Sequence, residues 1–541
     1  MPPAPTLLTG PRYALKGRIV TMDAQRRVIT NGLLYVDGAR IAAMTAATAP
    51  PPAGFEQASV INTRGTIYPG LIELHNHLSY NVLRLWDVPE KYTNRDKWAG
   101  IEEYRRLISG PMKVLGQASG QGYVEALVRY VECKCLLGGV TTSQGIALYS
   151  NSGIRRYYRG AVRNVEQTDL PDLPEASGHI ADVEAVDSAK FLQRLEASTC
   201  LLLHMSEGTD PQARQHFADL QMPDERWAIT PALAGIHCAA LEPEDFATLA
   251  ANGGAMIWSP LSNLLLYGQT AKVAAAKAHG IRIGLGSDWS PSGSKNLFGE
   301  LKVARLVSAD QGGLFTDREI VEMATRNAAA ILGWDSALGS LEEGKYADLL
   351  VINTQQGDPY AAILEAAETA ISLVVVNGVP RFGQPGMMAR FSDRTEAWRV
   401  GGTKRLLNLE EEDVDPVVGN ISLRAARDRL KDGLRRLREL AVELEDPNRQ
   451  PPRGGSPWGL ILDQDAPEDM VIRPYFAEGL RGLEEDRGLL PTRAPATPLS
   501  KLLGPLKLDP LTVADDSTFL ERLSRQRNLP GFIKTGLPQL Y

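Results

Sequence analysis

The run Thr66-Ile67-Tyr68-Pro69-Gly70-Leu71-Ile72-Glu73-Leu74-His75-Asn76-His77 constrains this chain most, because an apolar strand ends there in two histidines separated by one residue. Residues i and i+2 of a strand point the same way. At the mouth of a barrel that parity aims both imidazoles at one point, as a divalent metal with two nitrogen ligands requires. An isolated pair of this kind could simply end a strand at a loop, so its meaning depends on matching ligands downstream.

Those ligands close later apolar runs. Thr199-Cys200-Leu201-Leu202-Leu203 ends at His204, followed by Met205-Ser206-Glu207; Trp227 to Ile236 ends at His237; Ile281 to Gly286 ends at Ser287-Asp288. Four of the seven histidines in the chain thus lie at carboxyl ends of predicted strands. The ordered series resembles the amidohydrolase superfamily, and within it the cytosine deaminase-like, triazine hydrolase and guanine deaminase group. That group's pattern is Pro-Gly-x-x-x-x-His-x-His, His-x-x-Glu, His, and Ser-Asp, read here as Pro69-Gly70 to His77, His204 with Glu207, His237, and Ser287-Asp288. The resemblance runs from about residue 10 to about residue 385 and includes Ala324-Thr325-Arg326-Asn327-Ala328-Ala329 and the stretch from Gly339 to Leu349.

Between residues 66 and 335 strand-like runs alternate with helical ones, which predicts an α/β (β/α)8 TIM barrel. Its strands are expected at 67–74, 139–145, 158–166, 178–183, 199–204, 228–236, 254–259 and 281–287. Each candidate ligand then sits at a strand's carboxyl end, where barrel enzymes build their sites. Short β segments fill 13–64 and return at 348–353 and 371–378. The resemblance implies that 1–65 and 336–390 meet as one small composite β-sandwich beside the barrel of 66–335. A long insertion at 78–125 carries Trp86, Tyr92, Trp98 and Tyr104, and its length suits a lid or pocket wall. Residues 391–541 form a C-terminal extension outside the resemblance, with an amphipathic helix expected over 421–446 and a Pro-rich remainder. An accessory cover or a homo-oligomer contact is the expected role.

With 541 residues, 43% of them hydrophobic, the chain has material for a large core and accessory parts. A net charge of -7 offers no basic footprint for nucleic acid. The stretch Met1 to Thr6 lacks the basic and apolar regions of a secretory leader, and no run of about 20 uncharged apolar residues suits a membrane span. Four cysteines are too few for a disulfide framework, so a cytoplasmic protein without a membrane partner is expected. Cys133-Lys134-Cys135 lacks zinc-motif spacing and reads as buried packing. Cys238 lacks an activating arrangement, and His179, His216 and His279 read as ordinary histidines, His279 at a helix end.

The resemblance implies one divalent metal, zinc or else iron or manganese, held by His75, His77, His204 and Asp288. The bridging lysine of two-metal members has no counterpart, since Lys190 falls in a helical run. Glu207 would shuttle a proton between attacking water and leaving nitrogen, and Asp288 would accept a proton from that water. His237 would contact the water or developing oxyanion, or serve as a fifth ligand. Ser259-Pro260-Leu261-Ser262-Asn263 resembles the group's Ser-Asn-Leu stretch, although Leu265 stands where lysine is common. Trp289 and Ser290-Pro291-Ser292-Gly293 depart from adenosine-type deaminases, which argues against a nucleoside. Trp86, Asn263 and Trp289 are the candidate substrate contacts, and with Leu264, Leu265 and Leu266 they suit an apolar or aromatic small molecule. The function expected is hydrolysis of a non-peptide C–N bond in an amide, urea, carbamate or cyclic amide. The alternatives are a deaminase or ring-substituent hydrolase at a heteroaromatic amidine carbon, and a non-catalytic scaffold that keeps the barrel.

Overall fold

The computed structural model describes residues 10–119, 121–150, 154–179, 182–411, 418, 421–448, 458–462 and 497–541. Much of the Pro-rich tail expected beyond 447 therefore lies outside the described residues. Strands β1 (Tyr13–Val20), β2 (Val28–Asp37) and β3 (Arg40–Ala46) form an antiparallel meander, and β4 (Ser59–Pro69) runs parallel to β1. The single strand expected over 67–74 divides at Gly70: β4 stops at Pro69, and β5 (Leu71–Glu73) opens a different sheet. A Cβ at Gly70 would collide with the Thr141 side chain, so only glycine lets the chain pass from one sheet to the next.

β6 (Val140–Ser143) lies parallel to β5, whereas β7 (Ala147–Ser150) and β8 (Arg155–Tyr157) form a separate antiparallel pair. The parallel series then continues through β9 (Arg163–Asn164), β10 (Ala176–His179), β11 (Cys200–Met205), β12 (Leu233–His237), β13 (Ala255–Trp258) and β14 (Ile283–Leu285). Two backbone bonds join the five-stranded and three-stranded sheets: Ala176 donates to the Val165 carbonyl at 2.8 Å, and Leu74 to the Leu285 carbonyl at 3.3 Å. Eight parallel strands thus close into a barrel. One apolar cluster gathers Ile72, Leu74, Cys200, Leu202, Ala234, Ile236, Ala255 and Ile257 with Ala328, Ile331 and Trp334. These are alternate positions on successive strands, and so they fill the barrel's interior.

Three strand expectations need trimming. The run at 228–236 forms a strand only from Leu233, because Pro231 has no N–H to give a ladder. The third strand shrinks to Arg163–Asn164, and the fourth falls at Ala176–His179, ahead of residues 180–181, which lie outside the described residues.

After the barrel, β15 (Leu349–Ile352), β16 (Ile371–Val376), β17 (Val379–Gly383), β18 (Glu396–Val400) and β19 (Thr403–Leu407) join β1 to β4 in one nine-stranded sheet, where β15 pairs antiparallel with β4. The sheet continues past residue 390, where Leu406 and Leu407 of β19 pair with Gly383 and Phe382 of β17. Leu349, Val351, Leu373 and Val375 pack with Tyr13, Leu15 and Met388 on one face, while Leu350, Ile352, Val374 and Val376 join the main core on the other. That alternation is the mark of a sheet buried on both sides.

The helix expected over 421–446 is two helices, Leu423–Arg435 and Leu437–Glu445, separated at Arg436, which leaves helical geometry at φ -101° and ψ 15°. The first packs on the helix Tyr123–Leu137. β20 (Trp458–Leu460) pairs antiparallel with β7. Leu503, Leu511, Phe519, Leu523, Ile533 and Leu537 share the hydrophobic cluster of the barrel's surrounding helices, so residues 497–541 pack against that core.

Candidate functional site

His75 and His77 lie just past β5, on a loop that Asn76 bridges to Asp288 after β14. Asp288 donates its backbone N–H to the His75 carbonyl at 2.9 Å, and His77 donates to the Asp288 carbonyl at 2.7 Å. Convergence of the two imidazoles therefore comes from this loop-to-loop lacing and not from strand parity. Nε2 of His75 and Nε2 of His77 stand 3.2 Å and 3.4 Å from the same Asp288 Oδ1. Donor atoms of His75, His77 and His204 lie within 4.8 Å of one another, as do those of His75, His237 and Asp288. Ser287, the Ser of the Ser-Asp pair, donates its backbone N–H and its hydroxyl to Glu73.

Protonation can be read from the partners. Gln144 Oε1 lies 3.1 Å from His75 Nδ1 and also accepts from the Asn76 N–H at 2.8 Å. An amide oxygen only accepts, so Nδ1 carries the proton and Nε2 keeps its lone pair. Nε2 of His75 and Nδ1 of His204 are buried without a hydrogen-bond partner. Burial pushes the imidazoles of His75 and His204 below their ordinary range, reinforced by His77 and His237 beside each of them, and takes His237 down to about 4. For Asp288 burial acts upward, but the adjacent imidazoles of His75, His77 and His237 outweigh it and hold the carboxylate ionised. Its Oδ2 accepts from Ser262 at 2.5 Å. Neutral imidazoles with orphaned nitrogens around one anionic carboxylate are a donor set that fits a divalent cation.

His237 takes a different tautomer. The Trp258 indole donates to Thr270 Oγ1 at 2.7 Å, Thr270 donates to Asn263 Oδ1 at 3.4 Å, and Asn263 Nδ2 lies 3.1 Å from His237 Nδ1. An indole can only donate, so each successive proton is directed along the chain and His237 Nδ1 accepts. Its proton sits on Nε2, which is 3.9 Å from Glu207 Oε2. His237, Cys238, Ser206 and Asp288 all have left-handed backbones, with φ of 68°, 51°, 51° and 63°. Non-glycine residues adopt this conformation at a cost, and such positions cluster at functional sites.

Glu207 is buried, and burial raises its carboxyl above the ordinary range, against the lowering influence of Arg95 and of the hydrogen bond from Tyr267. Tyr267 donates to Glu207 Oε1 at 2.7 Å and accepts from the Trp98 indole at 3.0 Å. Arg95 Nη1 is 3.9 Å from Glu207 Oε2, and its Nη2 pairs with Asp182 at 2.7 Å. The insertion is stitched to this loop by backbone bonds from Thr209 to Thr93 and from Arg95 to Glu207. Trp289 faces His77 at 5.3 Å between ring centroids and packs on Tyr80, Trp98 and Tyr104, so the insertion supplies an aromatic wall beside the donors.

Among the three expected substrate contacts, only Trp289 lines the donors. Asn263 is buried, its amide set between His237 and Thr270, and so supports His237. Trp86 is buried between Tyr92 and Tyr104, a ring removed from Trp289. Sequence reasoning missed Tyr267, Arg95, Gln144 and Ser262. Tyr267 lies four residues past Asn263 on the helix Pro260–Tyr267, a spacing that puts both on one face and was available as a signal. Lys190 lies on the helix Ser188–Glu196, away from the barrel strands. Cys133, Cys135 and Cys238 are buried thiols pushed up by burial. His216 Nε2 lies 3.5 Å from Asp182, and His279 caps the helix Val273–Ala278; the side chain of His179 lies outside the described residues. Among the described residues no helix is long and apolar enough to cross a membrane.

The model of the amidohydrolase family matches residues 206–380. A 5-methylthioadenosine/S-adenosylhomocysteine deaminase of Symbiobacterium thermophilum is 25% identical over 389 residues, covering 63% of this chain and 84% of its own. Among solved structures, the zinc complex of atrazine chlorohydrolase from Arthrobacter aurescens superposes with a TM-score of 0.54 at 21% identity, covering 68% of this chain and 94% of that one. Guanine deaminase from Bradyrhizobium japonicum gives 0.54 at 16% identity, covering 69% and 99%.

Proposed function

Because the chain belongs to the amidohydrolase superfamily, and is thereby a hydrolase of carbon–nitrogen bonds other than peptide bonds, we propose that it is a mononuclear metal-dependent amidohydrolase. Its substrate is a small molecule bearing an amide, urea, carbamate or cyclic amide. The observation that supports this reading is a pair of donor triads sharing His75, one with His77 and His204 and the other with His237 and Asp288, and Glu207 Oε2 3.9 Å from His237 Nε2. His75, His77, His204 and Asp288 would hold the cation, with zinc the first assignment for this donor set and iron or manganese the alternatives. When bound, such a cation acts as a Lewis acid and lowers the pKa of a water toward about 7.

The remaining roles belong to side chains. Asp288, ionised, takes a proton from the attacking water. Tyr267 occupies Glu207 Oε1, leaving Oε2 to carry a proton to the leaving nitrogen, and the raised pKa suits a group that must both take and give that proton. His237 presents its Nε2–H to the substrate oxygen as it gains charge, a donor role that the tautomer supports over that of a fifth ligand. The aromatic wall around Trp289 favours a second reading, deamination or loss of another substituent from a flat heteroaromatic ring, because such a ring stacks where a flexible amide gains less. With every ligand position kept, the scaffold alternative is set aside. We further read 10–65 with 336–407 as a composite β domain, 66–335 as the barrel with 78–125 as its wall, and the rest as an accessory layer.

Purified protein assayed against a panel of amides, ureas and amino-substituted heteroaromatics tests the reading. Turnover that depends on added zinc and falls steeply in Glu207→Gln supports it. Ammonia release from the heteroaromatics alone selects the second reading, and a folded, zinc-loaded protein inert on every class would sink both.

A further inference from the structure

Lys134 and Lys295 are buried to within 3% exposure, beside Asp509 and Asp516 of the C-terminal segment. An ammonium has three N–H bonds, and Lys134 uses each on a different part of the chain. One goes to the Asn81 carbonyl at 3.0 Å, one to the Ser290 hydroxyl at 2.6 Å, and one to Asp509 Oδ2 at 2.6 Å. Asn81 closes the loop that begins with His75 and His77, and Ser290 lies two residues past Asp288. The same two loops are laced again beside the lysine: Ser290 donates its N–H to Asn81 Oδ1 at 2.7 Å, Asn81 Nδ2 donates to Asn76 Oδ1 at 2.8 Å, and Asn76 Nδ2 donates to Ser287 Oγ at 3.0 Å. Asp509 is itself pinned, since its N–H donates to the Val82 carbonyl at 2.9 Å and its carbonyl accepts from the Tyr130 hydroxyl at 2.7 Å. Its Oδ1 pairs with Lys295, which also meets Asp516 at 3.0 Å.

We infer that Asp509 is a positioning residue for the metal centre: by fixing Lys134 between Asn81 and Ser290, it locks the loop bearing His75 and His77 against the loop bearing Asp288. The inference rests on the reading of those residues as a cation site. Without the Asp509 carboxylate Lys295 would keep Asp516 as its acid, but Lys134 would be left a buried ammonium without one and would lose the partner that holds it at the seam. The C-terminal extension is then part of the site's construction, although it contributes no ligand.

Zinc affinity of the full-length purified chain, measured by competition with a chromophoric chelator, tests this apart from activity. Asp509→Asn is expected to keep its secondary structure and bind zinc about tenfold more weakly, the low end of the effect of partners beyond the ligands, and Asp509→Glu to recover most of the affinity. A role in stability alone would lower the thermal midpoint and leave the zinc affinity of the folded protein unchanged. Should Asp509→Asn fail to fold, the charge-free pair Lys134→Met with Asp509→Leu decides: the same weakening is expected, because no donor then spans Asn81 and Ser290. Wild-type affinity in a folded Asp509→Asn, or in that pair, overturns the assignment alone. A folded wild-type chain that takes no zinc overturns the cation site and the assignment with it.

Discussion

The tautomer of His237 is set three side chains away, at an indole that can only donate, and this makes the catalytic donor sensitive to a residue that never meets substrate. Asn263→Asp keeps the shape but substitutes an acceptor for the amide N–H. His237 would then protonate Nδ1 and turn a lone pair toward Glu207. Steady-state kinetics of the zinc-loaded variant should show kcat lowered roughly 10²- to 10³-fold, the loss typical of one oxyanion donor, with KM little changed. Glu207→Gln should lose roughly 10²- to 10⁴-fold in kcat while retaining zinc, since Glu207 moves protons and holds no cation. A loss of zinc in that variant would reassign Glu207 as a ligand. The histidines and Asp288 were legible in the sequence because few residue types bind metals and their positions at run ends leave little freedom. Gln144, Ser262 and Arg95 were not, because a common polar residue acquires such a role only from what folding puts beside it. Asn263 was legible as a residue of the site, whereas its hydrogen bond to His237 was not.

At the scale of elements, the eight parallel strands followed from the alternation of apolar runs with helical ones, and the breaks between them did not. An unbroken apolar run through Gly70 gives no hint that two sheets share it, since both are buried and ask for the same residue types. The barrel's closing seam has a similar hidden demand at Gly286. A Cβ there would overlap the His75 Cβ and stand 2.9 Å from the His75 Cα and N, so the main chain that carries the first ligand would have to move. Gly286→Ala should therefore destabilise the fold by about 1–3 kcal/mol, as overpacking does, and weaken zinc binding together with it. Urea unfolding and chelator competition on one preparation measure the two effects. Stability lost with zinc affinity intact would show that the seam adjusts away from His75. The tail's helices were partly legible from their apolar spacing, whereas the break at Arg436 carries neither proline nor a capping signal.

For the whole molecule, the apolar residues of 497–541 lie in one cluster with those of the barrel helices, so the extension and the barrel are expected to unfold together. No pattern in the tail announced this, because scattered leucines read alike whether they cover a core or decorate a linker. Buried ionisable groups in that shared core make the stability of the entire chain depend on pH. Glu300, on the helix Leu297–Asp310, is fully buried; its Oε1 accepts the Leu261 N–H at 2.9 Å and its Oε2 meets the Ser294 hydroxyl. Burial pushes its carboxyl from 4.5 up to about 8, against the lowering influence of both hydrogen bonds. A folded pKa above the unfolded one means that the native state binds the extra proton between pH 4.5 and about 8. The stability this supplies is complete below pH 4.5 and falls away as pH rises through 8. Lys134, pushed down to about 8 by burial, works in the opposite direction, adding stability only as pH climbs from 8 toward 10.5. Glu300→Gln reproduces the protonated carboxyl, with an oxygen for Leu261 and an N–H for Ser294, and does not titrate. Urea midpoints of wild type and variant should be close at pH 5 and should separate by pH 9, the variant gaining up to a few kcal/mol. Lys134 cancels in that difference because both proteins carry it. Parallel pH profiles would mean that the native core accommodates an ionised Glu300, by water or by rearrangement of Ser294.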